Sequence, residues 1–287
     1  MEATPAATIG PWVWAGSEGE SGSAHTIQRA DAGRSRESAG YRKPHWRLLL
    51  TAFVGLVLAT SGIPAAASFR DCSHAFPTTP PVISLGASWK LRELCYDAFA
   101  VLHSGKTRTP VFVVERLTRA RLTDAKDEVR TDRFFADARL PRAHRAQLAD
   151  YRESGFDRGH MAPAADMPTA QAMAQSFSLA NVVPQAPNNN RRIWAKVERD
   201  TRAYVKRSGS TVYVFTGPAW EGVMQEIGSG VAVPTHLYKL VYDKTRNRAW
   251  VHWVANADGA QMGRPISYED LTSRLGFELL PGKQPSR

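Results

Sequence analysis

The chain has 287 residues, of which 43% are hydrophobic, and a formal net charge of +10 from 37 Lys/Arg and 27 Asp/Glu. Two cysteines and eight unclustered histidines argue against a zinc-dependent nuclease or phosphatase, which needs grouped His and Cys ligands. The basic excess favours polyanionic partners such as nucleic acid, although a charge that only maintains solubility fits it equally well.

The N-terminal region resembles a secretory signal peptide. A basic flank at 42–47 precedes an apolar run at 48–63, and Pro-Ala-Ala-Ala-Ser follows at 64–68. This run is shorter than the roughly 20 residues of a membrane-spanning helix. We therefore predict a signal peptide over 42–67, cleaved after Ala67, although an uncleaved signal anchor is an alternative.

The signal prediction leaves two interpretations of residues 1–41. They are either an unstructured extension or the product of a start codon placed too far upstream, and the second is favoured because signal peptides begin close to their basic flank. The mature chain, residues 68–287, is predicted to be a single domain that is secreted or periplasmic. We expect no stable membrane association after cleavage.

Cys72 and Cys95 both follow the predicted cleavage site. In an exported protein such a pair predicts a disulfide, with two buried free thiols as the alternative. The bond would stabilise the fold by about 3 kcal/mol through the loop that it closes.

The predicted elements alternate without the regularity of β-α-β units. Residues 75–90 are predicted to be an irregular arm and 119–150 an exposed excursion. Strands are predicted at 95–102, 110–117, 211–216 (ended by Gly217-Pro218), 237–242 and 249–255, and helices at 142–149, 169–180, 190–206 and 267–276. This pattern predicts an α+β fold with a largely antiparallel central sheet and flanking helices.

The segment Asp157-Arg158-Gly159-His160 is the first candidate for chemistry, in a context that suggests a loop. A histidine can take a proton from water near neutral pH, and an arginine fork suits phosphate oxygens. The glycine would allow a tight turn. The alternative is a local Asp157–Arg158 ion pair that only shapes the turn.

The second candidate is a series spaced by four on the predicted helix: Asn190, Trp194, Glu198 and Arg202. Asn190 and Glu198 would lie about 12 Å apart along the axis, so both cannot ligate one ion directly. If Asn190 binds Mg²⁺, Glu198 acts through water. A solvated helix face with an ordinary Glu198–Arg202 pair is the competing interpretation.

Four segments carry a family resemblance. Residues 150–166 contain Ser-Gly-Phe-Asp-Arg-Gly-His-Met-Ala-Pro, and residues 177–202 contain Asn-Val-Val-Pro-Gln before the series above. Val-Phe-Thr-Gly-Pro at 214–218 and Val-Pro-Thr-His at 233–236 follow in order. Together they closely resemble the DNA/RNA non-specific endonuclease family, whose fold contains a ββα-metal active-site motif.

The resemblance implies roles for the central residues. His160 matches the general base, Asn190 the direct ligand of Mg²⁺ (which Mn²⁺ can replace), and Glu198 a residue acting on the metal through water. Arg158 matches an arginine facing the substrate. The implied activity is metal-dependent, sequence-independent hydrolysis of DNA and RNA, and the alternative is an exported protein that binds polyanions without catalysis.

Three further roles are implied. Asn181 matches a residue that supports the site by hydrogen bonding, and Arg202 either pairs with Glu198 or reaches phosphate. An arginine that stabilises the transition state is expected at Arg130, with Arg133 as the alternative. His236 and His252, on predicted strands or at their ends, have structural interpretations, and Trp194 is expected in the core. Lys239, Arg246 and Arg248 are expected either to line a substrate groove or to lie at a solvated edge.

Overall fold

A computed structural model describes residues 68–287. The predictions for residues 1–41 and for the signal peptide at 42–67 lie outside the described residues, and the single-domain boundary also stays a prediction. In the described part of the chain, no helix is both long and apolar enough to cross a membrane.

Within residues 68–287, ten strands and four α-helices make up the regular structure. The strands are β1 (Leu91–Cys95), β2 (Phe99–Ser104), β3 (Thr109–Leu117), β4 (Asp157–His160), β5 (Val182–Gln185), β6 (Val212–Ala219), β7 (Gln225–Ile227), β8 (Val231–Val233), β9 (His236–Asp243) and β10 (Arg248–Ala255). The α-helices are α1 (Arg119–Asp124), α2 (Ala170–Ser176), α3 (Ala195–Ser208) and α4 (Tyr268–Leu275). A π-helix spans Asn189–Trp194, and 3-10 turns span Phe69–Ala75, Ala87–Trp89, Ala125–Asp127, Arg142–His144, Leu148–Tyr151, Ala164–Asp166 and Leu179–Asn181.

The central sheet has six strands in the order β1-β2-β3-β6-β9-β10, and every neighbouring pair is antiparallel. Its middle strands are buried along almost their whole length because side chains pack on both faces. The 3-10 turn at Phe69–Ala75, the first turn of the described chain, and α4 cover one face, and α3 covers the other. The predicted α+β fold on an antiparallel sheet is confirmed.

A two-stranded antiparallel ribbon of β4 and β5, which are joined through α2, precedes the π-helix and α3, and together they form the ββα unit. β4 pairs antiparallel with β5, and the chain continues from β5 into the two helical segments. Val205 of α3 packs against Val212, Val214 and Val241 of the sheet. This contact fixes the helix, and with it the residues of the candidate site, on a rigid layer.

Several predicted elements differ from the structure. The strand predicted at 95–102 coincides with β2 only over 99–102, because residues 96–98 form the turn of a hairpin between β1 and β2. The helix predicted at 142–149 consists of two 3-10 turns. β6 does not end before Gly217-Pro218 but continues through both residues. Pro218 is tolerated because it has a neighbour only on the β9 side, where β3 no longer pairs with β6, so no hydrogen bond from its nitrogen is needed there.

Two local predictions are confirmed. Ser267 caps α4, with its hydroxyl accepting from the backbone nitrogen of Asp270 while the Asp270 carboxylate bonds back to it. Cys72 and Cys95 form a disulfide with their Cα atoms 5.7 Å apart. The disulfide ties the first turn to β1, the edge strand of the sheet.

Candidate active site

The segment from Asp157 to His160 is a strand rather than the expected loop. It forms β4, in which Gly159 lies opposite Val183 and His160 opposite Val182. Glycine is needed at 159 because a Cβ atom there would meet the side chain of Gln185, whose Oε1 would lie only 2.0 Å away. Close approach of Gln185, and not a tight turn, therefore explains the glycine.

The imidazole of His160 is enclosed by two phenylalanines. Its ring centroid lies 5.2 Å from that of Phe134 and 5.0 Å from that of Phe177, the latter edge-on. The His160 Nε2 atom is buried and has no hydrogen-bond partner in the described part of the chain. A buried polar atom without a partner is costly, and such atoms often mark the place of a ligand or water.

The surroundings keep His160 neutral. Burial lowers the pKa of His160 to about 3, and the positive charges of Arg130 and Arg158 act in the same direction. The opposing charge of Asp132 is too weak to restore the ordinary value. At neutral pH the imidazole is therefore unprotonated and has an acceptor nitrogen for a proton, although a pKa this low makes it a weaker base than an ordinary histidine.

Two arginines reach the rings that enclose His160. The Cζ atom of Arg158 lies 4.2 Å from the centroid of Phe134, and that of Arg130 lies 5.1 Å from the centroid of Phe177. Arg130 also pairs with Asp132, with an Nε–Oδ1 distance of 2.6 Å between two largely exposed side chains. Both guanidinium groups therefore face the pocket of the histidine, where they can meet phosphate oxygens.

Asn190 is held by the strand that carries His160. Its Nδ2 atom donates to Asp157 at 3.0 Å, and Arg191 donates to the same carboxylate from Nε at 2.8 Å and Nη2 at 2.6 Å. Burial alone would raise the pKa of Asp157, but the hydrogen bonds from Arg191 and Asn190 outweigh it, so the pKa lies below its usual value. Asp157 therefore pairs with Arg191, not with Arg158.

The helix carrying Asn190 differs from the expected one at its first turns. Asn190 and Trp194 lie in the π-helix, whose i→i+5 hydrogen bonds widen the turn, and α3 begins at Ala195. Such π segments often occur at functional sites. The regular 3.6-residue stripe inferred from the spacing therefore holds only for Glu198 and Arg202, and Trp194 belongs to the core as expected.

Glu198 lies half-buried on α3 in a dense field of charges. Burial raises its pKa to about 7, against the nearby positive charges of Lys239, Arg202 and Arg130. The positive charge of Arg130 lowers the pKa of both Glu198 and His160. At neutral pH the carboxyl group is near the midpoint of its titration.

Arg202 and Asn181 hold neighbouring segments. Arg202 donates from Nη1 to Asp166 at 3.0 Å and forms no direct ion pair with Glu198 in the described chain. Asn181 is fully buried: its Oδ1 accepts from the nitrogen of Ala162, and its Nδ2 donates to the carbonyl oxygens of Ala162 and Ser176, each at 2.9 Å. Asn181 thus fixes the backbone that leaves His160.

Two buried charged residues beneath the site were missed or misplaced by sequence reasoning. Lys239 is 1% exposed, so it lies neither at a groove nor at a solvated edge, and its Nζ atom donates to Thr216 at 2.8 Å. Glu115 is also 1% exposed, and burial, followed by the charge of Asp166, raises its pKa to about 8. Both residues lie inside apolar strands, where the only signal was a charge within a hydrophobic run.

The donors present suit a metal ion that keeps most of its water. Within residues 68–287, no three His, Cys, Asp or Glu side chains converge to form a metal site by themselves. The Asn190 amide, whose nitrogen faces Asp157, presents its oxygen on its other side. One amide oxygen with a carboxylate nearby matches the way Mg²⁺ is held by few protein ligands.

A sequence profile of the DNA/RNA non-specific endonuclease family matches residues 81–274. The chain is also similar to curated proteins from several eukaryotes. It is 41% identical over 170 residues to the mitochondrial endonuclease G of Homo sapiens, covering 54% of each chain. It is 36% identical over 180 residues to nuclease C1 of Cunninghamella echinulata var. echinulata, covering 58% of this chain and 71% of that protein.

Other relatives are matched over part of their length. The mitochondrial nuclease 1 of Schizosaccharomyces pombe is 38% identical over 150 residues, which are 47% of this chain and 46% of that protein. The chain thus spans about half the length of this nuclease and of the human protein.

One solved structure, of a complex of EndoG and EndoGI described as showing the mechanism of EndoG inhibition, has a similar fold. Its TM-score is 0.63 at 24% identity, and the alignment covers 76% of this chain and 94% of that one.

Proposed function

Because the chain belongs to the DNA/RNA non-specific endonuclease family, we propose that it is an endonuclease that hydrolyses phosphodiester bonds of DNA and RNA with the help of Mg²⁺. The observation that carries this proposal is the neutral imidazole of His160, which lies between Phe134 and Phe177 while Arg158 and Arg130 lie over those two rings. A base next to two phosphate-binding groups is suited to activating water against phosphorus.

Asn190 is the residue proposed to hold the metal ion, through its side-chain oxygen. Asp157 orients the amide by accepting from its nitrogen, and Glu198 acts on the ion only through water. When bound, a divalent cation would neutralise charge that develops on the phosphate oxygens and would assist the departure of the leaving group. Mn²⁺ has similar oxygen preferences and is expected to substitute.

The remaining roles follow from the contacts of each side chain. His160 takes the proton of the attacking water, while Arg130 and Arg158 bind the phosphate that receives it. Asn181 and Arg202 are positioning residues, because their polar atoms are engaged with the backbone around Ala162 and with Asp166. Residues that bind the phosphates of the nucleic acid need no contacts with its bases, so cleavage is expected to be independent of sequence.

Export is the second part of the proposal. The basic flank, apolar run and small-residue site at 42–68 support a secretory signal, and the Cys72–Cys95 disulfide suits an oxidising compartment. Expression with the native N-terminus, followed by intact mass and N-terminal sequencing of the exported fraction, tests this part. The expected mature chain begins at Ser68, and retention of the full chain inside the cell would contradict export.

The catalytic part is tested with purified residues 68–287 on supercoiled plasmid and on RNA. We expect nicking and RNA cleavage with Mg²⁺ or Mn²⁺, complete loss with chelator, and recovery when metal is restored. A protein that retards DNA on a gel but leaves both substrates intact at every metal concentration would instead be the non-catalytic polyanion binder.

A further inference from the structure

A hollow of about 290 Å³ opens beside Arg130, between α3 and the segment that follows α1. Its floor is apolar and includes Leu122, Ala164 and Met173, all buried. Its rim carries four cations and one carboxylate: Lys126, Arg130, Arg202, Lys206 and Glu128. An apolar floor under a strongly basic rim fits a ligand that is anionic on one side and weakly polar on the other.

The two rim lysines have no acidic partner. Among the ion pairs within residues 68–287, none involves Lys126 or Lys206. Both side chains are exposed, so their charges remain available to a ligand. Arg202 and Lys206 are one helical turn apart, about 6 Å along α3, and extend the positive charge away from the histidine in a row.

The hollow borders the candidate active site through two of its rim arginines. Arg130 belongs to its rim and also lies over Phe177, one of the rings that enclose His160. Arg202 belongs to its rim and pairs with Asp166, whose charge acts on Glu198. These two arginines place the hollow next to the site, where the neighbouring nucleotide of a strand with its phosphate at His160 can reach it.

We propose that this hollow is a subsite for the nucleotide next to the cleaved phosphate, an inference that rests on the proposed nuclease function. Its backbone phosphate lies against Lys126 and Lys206, and its sugar and base lie over the apolar floor. The floor side chains present no hydrogen-bonding groups to base edges, so the subsite accepts any base. Met173, flexible and polarisable, suits contact with different bases.

The test measures how salt weakens binding of a fluorescent single-stranded DNA to residues 68–287 in chelator, where no cleavage interferes. The variants are Lys126→Gln, Lys206→Gln and the double variant. Lys244→Gln is the matched control, since Lys244 lies over Tyr213 on the opposite face of the sheet. A lysine that contacts phosphate contributes about 0.7 to the slope of log affinity against log salt on a single strand.

Each pocket variant should flatten that slope by about 0.7 and the double variant by about 1.4, while Lys244→Gln keeps the wild-type slope. Unchanged slopes in the pocket variants would overturn the proposal. An equal decrease of the salt slope in Lys244→Gln would also overturn it, because the lysines would then attract DNA only through the overall positive charge of the protein. Thermal unfolding checks that every variant is folded.

Cleavage of oligonucleotides of increasing length adds a second readout in Mg²⁺. The ratio of variant to wild-type KM should rise once the substrate carries the phosphate beyond the nucleotide in the hollow, because a shorter substrate has no phosphate for the two lysines to contact. A ratio independent of length would overturn the subsite. Failure of the wild-type protein to cut any substrate would instead contradict the proposed function, and the salt slopes would still report on the subsite.

Discussion

Asp157→Asn should weaken metal binding by releasing the amide of Asn190. In the folded protein the carboxylate accepts from Asn190 at 3.0 Å and from two nitrogens of Arg191 at 2.8 and 2.6 Å. An amide at 157 has only one acceptor atom for these donors, and its own NH₂ group would face one of them. The Asn190 side chain then loses its preferred orientation toward the metal.

The expected size of the effect follows from the role of the contact. Loss of a residue that orients a metal ligand lowers metal affinity by about 10–100-fold. The Arg191 side chain is 68% exposed, so losing its ion pair contributes less than about 1 kcal/mol to the free energy of unfolding. Asp157→Asn should therefore fold, while requiring about 10–100 times more Mg²⁺ for half-maximal plasmid nicking.

Arg191→Gln is the matched control, because it removes the ion pair and leaves the Asp157–Asn190 hydrogen bond. Its metal titration should lie within a few-fold of wild type. Calorimetry with Mn²⁺ in the absence of DNA provides a readout independent of activity. A folded Asp157→Asn protein whose nicking titration and calorimetric affinity both match wild type would refute the assignment.

Three other perturbations follow from the same structure. Because burial raises the pKa of Glu115 from 4.5 to about 8, its contribution to stability is full below pH 4.5 and decreases as pH rises toward 8. Between these two pH values, the free energy of unfolding of Glu115→Gln should fall by about 3–5 kcal/mol less than that of the wild type, as measured by denaturant titration. An equal fall in both proteins would contradict this. Replacing both Cys72 and Cys95 by Ser should lower the free energy of unfolding by about 3 kcal/mol, measured under the same conditions, whereas an unchanged midpoint would mean the bond adds nothing. Arg130→Gln should reduce kcat by about 10²–10³-fold and Arg133→Gln by little, and the reverse order would transfer the role to Arg133.

The sheet could be predicted from sequence because its strands are runs of β-branched and aromatic residues. The predicted bounds of β3, β9 and β10 differ from the observed ones by one residue at most. The hairpin between β1 and β2 was missed because Tyr96-Asp97-Ala98 contains neither glycine nor proline. The π-helix at Asn189–Trp194 could not be found from spacing, since polar residues four positions apart are equally compatible with a regular α-helix.

The individual site residues could be named from the sequence, but their partners could not. Asp157 and Arg191 are 34 positions apart, and only the pairing of β4 with β5 and the helical turn that follows bring them together. Likewise Lys239 and Glu115 lie within apolar strands, and their burial depends on what packs over the sheet. The local sequence pattern identifies which residues can carry out the chemistry. Which charged side chains pair with one another depends on how distant segments of the chain pack together.

The general base is tested most directly by His160→Ala, with His74→Ala as the control, because His74 is an exposed residue of the first turn on the other side of the sheet. Both are compared in plasmid nicking at saturating Mg²⁺, with DNA affinity measured in chelator. His160→Ala should cut about 10²–10⁴-fold more slowly than wild type while binding DNA with similar affinity, and His74→Ala should behave as wild type. Cleavage by His160→Ala at a rate close to that of the wild-type protein would contradict the assignment of His160 as the base.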